Sequence, residues 1–224
     1  MKFQDFFTFN TSIEMISFII SILCLSKDKD PVWRYFRFYL FITCLTELFA
    51  LYLKRHHHNN QWPYNISIIF EATFISAMFF RLFARYFNSR TIILAGLAVL
   101  FLVYGYDVEI HHFRLFTDIT HDLINDTTND LMSVIFSAYS LYYFYLLLRD
   151  ERYVNLFYSS DFWWASGVFF YYFGTTTINL VRGKLTTSDY NVLPWLLIVL
   201  NWILYGSWSY SFICRKWLTQ KSDK

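Results

Sequence analysis

Glycine and proline are scarce, with six and three among 224 residues. No GxxxxGK[ST], GxGxxG or GxSxG stretch occurs, so phosphate-cradling loops and nucleophile elbows are excluded. Flexible linkers are missing too. The three cysteines, Cys24, Cys44 and Cys214, sit in apolar stretches and form neither a CxxC pair nor a disulfide framework. Charged residues make up 16% of the chain, against about 25% in soluble domains. With a net charge of +2 and only short basic clusters, nucleic acid is excluded as a partner. The last apolar segment holds no lysine, which excludes a retinal Schiff base. No cofactor motif is present.

What the chain has instead is apolar and aromatic: 56% hydrophobic and 23% aromatic residues. Its mean hydropathy is only +0.31 because 18 Tyr and 8 Trp weigh against it. Such side chains suit the membrane interface, where an apolar ring carries a polar tip. A helix needs about 20 mostly apolar residues to cross the bilayer core. Seven segments are predicted to do so: Phe6 to Leu25, Arg34 to Leu53, Tyr64 to Phe83, Thr91 to Tyr106, Thr128 to Leu148, Asp161 to Val181 and Tyr190 to Cys214. The expected fold is all-α, a polytopic membrane bundle of seven transmembrane helices forming one domain over residues 1–224, without a soluble domain. The first segment reads as a membrane helix, not a cleaved signal peptide. Trp33, Trp62, Tyr64, Tyr86, Tyr106, Trp163, Tyr190 and Trp217 lie near the predicted ends, as an aromatic belt requires. A shift of 126 residues lays the first three segments on the last three, bringing Tyr64-Asn65 onto Tyr190-Asn191; this hints at a three-plus-one-plus-three arrangement.

Orientation follows from the basic residues. With the N-terminus outside, inner segments carry Lys27, Lys29, Arg34, Arg37, Arg81, Arg85, Arg90, Arg149, Arg152, Arg215, Lys216, Lys221 and Lys224. Outer segments carry Lys2, Lys54, Arg55, Arg114, Arg182 and Lys184. The division is 13 to 6, so the N-terminus is expected outside and the C-terminus in the cytoplasm of a plasma or bacterial inner membrane. The longest connection, Asp107 to Thr127, then faces outwards with its acids.

Carboxylates inside a membrane cost about 2.5–3.5 kcal/mol on insertion scales and usually face the bundle or a wet cavity. Glu47 and Glu71 each lie seven residues from the predicted outer end of adjoining helices, and are expected at one depth. Thr43 shares a stripe with Glu47; Tyr64 and Ser67 share one with Glu71. Together with Thr176 and Asn201 they suggest an outward-facing polar cavity for a small ligand or proton. The competing reading is hydrogen-bonded helix glue. Glu14, near the start of the first span, is expected to be solvated. No metal site is expected: consecutive histidines cannot converge on one ion, and His57, His111 and His121 are weak candidates at best. Histidines gathered within the bundle, as membrane hydrolases of the alkaline ceramidase type need, are missing. Pro194 is the one proline placed inside a span, unlike the bent helices of two-repeat sugar transporters.

Thr46-Glu47, Asn60-x-Trp62-x-Tyr64-Asn65 leading to Glu71, Phe162-Trp163 with Gly167, Tyr171 or Tyr172 and Gly174, and Asn201 carry a resemblance over most of the chain. The sequence resembles uncharacterised bacterial seven-transmembrane-helix proteins, of the type often encoded near sensor kinases. The resemblance implies a sensory or signalling accessory role. The leading expectation is therefore a receptor-like or sensor-like protein that binds a small ligand and signals through a cytoplasmic or membrane partner. A small-solute or ion transporter ranks second. A membrane-embedded enzyme, with Glu47 and Glu71 as acid and base, ranks third.

Overall fold

The computed structural model describes residues 8–110, 126–150, 155–182 and 192–222. Among them are seven helices and no strand: α1 Phe9–Leu25, α2 Pro31–Arg55, α3 Trp62–Phe83, α4 Arg90–Ile110, α5 Asp126–Arg149, α6 Ser160–Arg182 and α7 Leu193–Ser222. Five are long and apolar enough to cross a membrane: α2, α3, α4, α5 from Thr127 and α7 as far as Trp217. α1 is a shorter apolar helix of 17 residues. α6 is less apolar, and its 23 residues rise about 35 Å. The chain is an all-helical protein of the integral membrane type.

The polarity of α1 is inverted relative to a helix on the surface of a soluble protein. α1 exposes Ile16, Ile19, Ile22 and Leu23 and buries Thr11, Glu14, Ser17 and Ser21. Lipid accepts the large side chains, while small and polar ones let helices approach and hydrogen-bond.

Local chemistry sets the helix ends. Thr8 caps α1 by accepting from the Thr11 backbone N–H at 3.1 Å. Two aspartates lead into α2: the Asp30 N–H bonds Asp28 Oδ1 at 2.8 Å, and the Val32 N–H bonds Asp30 Oδ1 at 3.0 Å. Pro31 then takes the first helical position, where its missing N–H is harmless. α2 ends in a Schellman-like turn. The His58 N–H bonds the Leu53 carbonyl at 3.0 Å and the His57 N–H bonds that of Lys54 at 3.2 Å. His57 adopts φ 57°, the left-handed conformation that glycine usually fills at this position.

Contacts divide the chain into two compact units. In the first, Phe38–Met132, α2 and α3 run antiparallel. Phe49 meets Trp62 edge-on (centroids 5.4 Å apart) and Tyr39 stacks on Phe74 (4.4 Å). α4 packs on α3, where the Tyr104 hydroxyl donates to the Asn65 carbonyl at 3.0 Å. The second unit comprises Thr8–Arg37 and Ser133–Lys224. There α6 and α7 pack closely and antiparallel: a Cβ on Gly167 would lie 3.0 Å from Ser207 Cβ and 3.1 Å from the Leu204 carbonyl oxygen. α1 runs parallel to α7, with Phe9 beside Trp195 at one end and the Lys216 ammonium donating to the Leu23 carbonyl at the other. The first and last of seven alternating spans should point the same way, and they do. Trp33, Phe36, Trp208 and Phe212 form this unit's aromatic core. Beside it, Arg215 bonds Asp28 at 2.8 and 3.2 Å and stands 5.8 Å from the Trp33 ring.

Several expectations are corrected. α4 continues past Tyr106 to Ile110, so Asp107 is helical and 4% exposed, not a loop acid. Pro194 lies in the first turn of α7, where proline is tolerated, not inside the span. α7 runs on to Ser222. Trp33, expected in the interfacial belt, is fully buried. Glu14, expected to be solvated, is 7% exposed because it lies on the face of α1 that packs inward. His111, Arg114, His121, Lys184 and Tyr190 fall outside the described residues.

Candidate functional site

Glu47 lies on α2 two residues before Phe49, and Tyr64 lies in the first turn of α3. The Tyr64 hydroxyl donates to Glu47 Oε2 at 2.5 Å, tying the two helices together. Both residues are half-buried. A phenol donating to a carboxylate is a charge-assisted bond, stronger than a neutral one and strengthened further where water is scarce. The edge-on Phe49–Trp62 pair stands next to it on the side of the α2–α3 connection.

Glu71 is also half-buried but is not at the depth expected. Phe49 opposite Trp62, Glu47 opposite Tyr64 and Tyr39 opposite Phe74 fix the α2–α3 register. Glu71, seven residues beyond Tyr64, is therefore displaced from Glu47 by about 10 Å along the helices. The physical reason is the unequal reach of the helices. α2 continues past the level of Trp62 to Arg55, and residues 56–61 return to a lower α3 start. Equal distances from helix ends do not mean equal depths.

The expected hydroxyl lining makes bonds within its own helices. Thr43 donates to the Tyr39 carbonyl at 3.1 Å, Ser67 to that of Tyr64 at 2.9 Å and Thr176 to that of Tyr172 at 2.9 Å. Their oxygens keep lone pairs for a ligand's donors. Thr43, Glu47, Tyr64, Ser67 and Glu71 belong to the first unit; Thr176 and the half-buried Asn201 belong to the second. A shallow, tightly packed crevice lies elsewhere in the first unit, lined by Ile68, Ala72, Leu100, Phe101, Tyr104 and Thr128. Its two polar members already donate, Tyr104 to Asn65 and Thr128 to Asp107, so it presents an apolar wall.

His57 serves as the α2 cap, and the His56 ring lies 4.4 Å from that of Tyr52. Among the described residues no group of three His, Cys, Asp or Glu side chains is placed to hold a metal ion; His111 and His121 fall outside them.

The second unit holds a polar seam that the sequence reading undervalued. Asn10, Glu14, Ser17 and Ser21 follow one another at four, three and four residues along α1, a single helical stripe. That spacing was visible, but Glu14's position near a helix start argued for solvent. The parallel contacts at both ends of α1 and α7 set Glu14 within about one turn of Asn201.

Comparison with protein-family models, with curated proteins and with solved structures returned no match.

Proposed function

We propose that this is a receptor-like or sensor-like integral membrane protein whose responsive element is the Glu47–Tyr64 pair. The observation that carries the reading is the 2.5 Å hydrogen bond from the Tyr64 hydroxyl to the Glu47 carboxylate, a polar tie between two membrane helices. A proton or a cationic or hydroxyl-rich ligand reaching Glu47 competes with the phenol for the carboxylate. Losing or strengthening that tie alters how α2 and α3 are held together. A ligand shifts such a two-state element only through its difference in affinity for the two states.

The distribution of basic residues supports an N-terminus outside, which would put Glu47 in the outer half. The output then passes through a cytoplasmic or membrane partner protein. The transporter and enzyme readings leaned on Glu47 and Glu71 acting as a pair, and their stagger of about 10 Å weakens that support. The test is a thermal-shift screen of the purified protein with cations, amines and small polyols. A ligand at about 100 times its dissociation constant adds roughly 2.7 kcal/mol of apparent stability. The expected hit stabilises wild type and E71Q but not E47Q. A hit that stabilises E47Q equally would move the site elsewhere, and solute uptake by proteoliposomes of the protein alone would favour transport.

A further inference from the structure

We propose that the seam between α2 and α3 is a one-ended proton well. Protons enter at the end marked by the Glu47–Tyr64 bond and stop on the Glu71 carboxylate near the middle of the membrane. For its entrance the well rests on Glu47 and Tyr64 being the responsive pair.

Glu71 is the tenth of the 22 residues of α3, so it lies near mid-span. A carboxylate at that depth is costly against lipid and ordinarily faces a wet cavity. Thr43, Glu47, Tyr64, Ser67 and Glu71 are all half-buried, neither sealed in the packing nor fully outside it. Their spacing puts them on one seam. The Tyr64 hydroxyl bonds Glu47 across it. Ser67 follows Tyr64 by three residues, Glu71 follows Ser67 by four, and Thr43 precedes Glu47 by four. At about 1.5 Å per residue inward from that bond, Ser67 lies about 4.5 Å along the helices, Thr43 about 6 Å and Glu71 about 10 Å. No axial step exceeds about 4.5 Å, a gap that one bridging water spans. Thr43 and Ser67 donate to carbonyls of their own helices, and their oxygens accept from such a water. A metal ion needs several oxygens around one point. The seam offers its oxygens level by level, which suits a proton passed between them.

The well is closed beyond Glu71. Three residues further inward Phe74 stacks on Tyr39, with ring centroids 4.4 Å and planes 8° apart. Ile75, Met78, Phe79 and Leu82 continue α3 inward and are fully buried. At these levels the titratable groups are Tyr39, Cys44 and Glu47 on α2 and Tyr64 on α3. α4, which also packs on α3, carries none between Arg90 and Tyr104. Protonation turns the Glu71 carboxylate into the acid, and nothing leaves at the closed end. Each event carries one positive charge across about half of the membrane potential, so occupancy of the well follows pH and potential together.

The experiment is surface-enhanced infrared difference spectroscopy of the full-length protein in a bilayer on an electrode, inserted in each of the two orientations. The carboxyl band of protonated Glu71 is the one that E71Q removes. It is expected to titrate with pH on the side of the α2–α3 connection and not with pH on the other side. Its midpoint should move by about 0.8 pH unit, sevenfold in proton affinity, per 100 mV. After a pH jump, E47Q, Y64F, S67A and T43V should each delay the band severalfold and leave it in place. A midpoint indifferent to potential, an equal response to either side, or an undelayed band in all four variants would overturn the proposal. So would a Glu71 band that no pH change moves, the result expected if the seam is helix glue or is covered by a second copy of the chain. Should E71Q fail to fold, E71D identifies the band by shifting it. The Glu71 band tests the well and the thermal shift of E47Q tests the responsive pair, so the two readings fail separately.

Discussion

Asp107, in the last turn of α4, accepts two hydrogen bonds from Thr128: from its backbone N–H at 3.0 Å and from its hydroxyl at 2.8 Å. The first turn of a helix leaves backbone N–H groups without intrahelical partners, and a nearby carboxylate satisfies them while complementing the helix dipole. Here the capping group comes from another helix, 21 residues upstream. It therefore fixes the relation of α4 to the start of α5 as well as the start itself. Asp107→Ala should lower stability by about 1–3 kcal/mol, the cost of a buried donor left unmade. Asp107→Asn keeps one acceptor oxygen and should lose less. Denaturant titration in detergent micelles measures both; equal stability of Asp107→Ala and wild type would mean that α5 starts without this cap.

The two glycines of α6 facing α7 differ in what surrounds them. At Gly167 an added methyl meets Ser207 Cβ at 3.0 Å and the Leu204 carbonyl oxygen at 3.1 Å; the carbonyl belongs to the helix backbone and cannot swing away. At Gly174 the contacts are shorter, 2.6 and 2.7 Å, but they are to the methyl ends of Leu200, which can change rotamer. Overpacking a tight interface costs about 1–3 kcal/mol. Gly167→Ala should fall in that range and exceed Gly174→Ala, as read from the thermal midpoints of the two variants. The reverse order would show that α6 can slide on α7.

Arg215 joins α7 to the α1–α2 connection through Asp28, whose side chain is 2% exposed, and lies 3.8 Å from Asp30. Removing one partner of a buried pair strands the other charge, at about 3 kcal/mol or more. Arg215→Ala should therefore destabilise strongly. Arg215→Lys should be only a partial rescue, because an ammonium cannot reproduce the two-point bond to Asp28. The Asp28→Asn, Arg215→Gln double variant should be more stable than the sum of the single losses implies. Additive losses would show that the pair is screened by water.

The helix count was legible because charged or turn-forming clusters separate the apolar runs, five of them long and apolar enough to span a membrane; these are local properties. Register was not. Where a helix ends relative to its neighbour depends on how the connection folds, and residues 56–61 fold so that α2 outreaches the start of α3. Glu47 and Glu71 thus read as partners, while the actual partner of Glu47, Tyr64, was assigned to a stripe with Glu71. Asp107 was misread because a carboxylate just past an apolar run looks the same whether it enters a loop or caps a distant helix. Glu14 was misjudged by its distance from a helix end, although the stripe of Asn10, Ser17 and Ser21 already marked its face as the inward one.

The register also predicts how Glu47 couples to its neighbours. Interhelical hydrogen bonds in membranes average about 0.6 kcal/mol by double-mutant cycles and reach about 1.7; those to charged groups lie towards the upper end. Glu47→Gln and Tyr64→Phe should show an interaction energy of about 1–2 kcal/mol when each and both are unfolded in mixed micelles. Glu71→Gln with Tyr64→Phe should be additive within about 0.5 kcal/mol, as well-separated sites usually are, since Glu71 lies about 10 Å further along α3. The comparison is internal, so uncertainty in the unfolded state largely cancels. Strong coupling of Glu71 to Tyr64, with none between Glu47 and Tyr64, would refute the α2–α3 register and with it the assignment of Glu47–Tyr64 as the responsive pair.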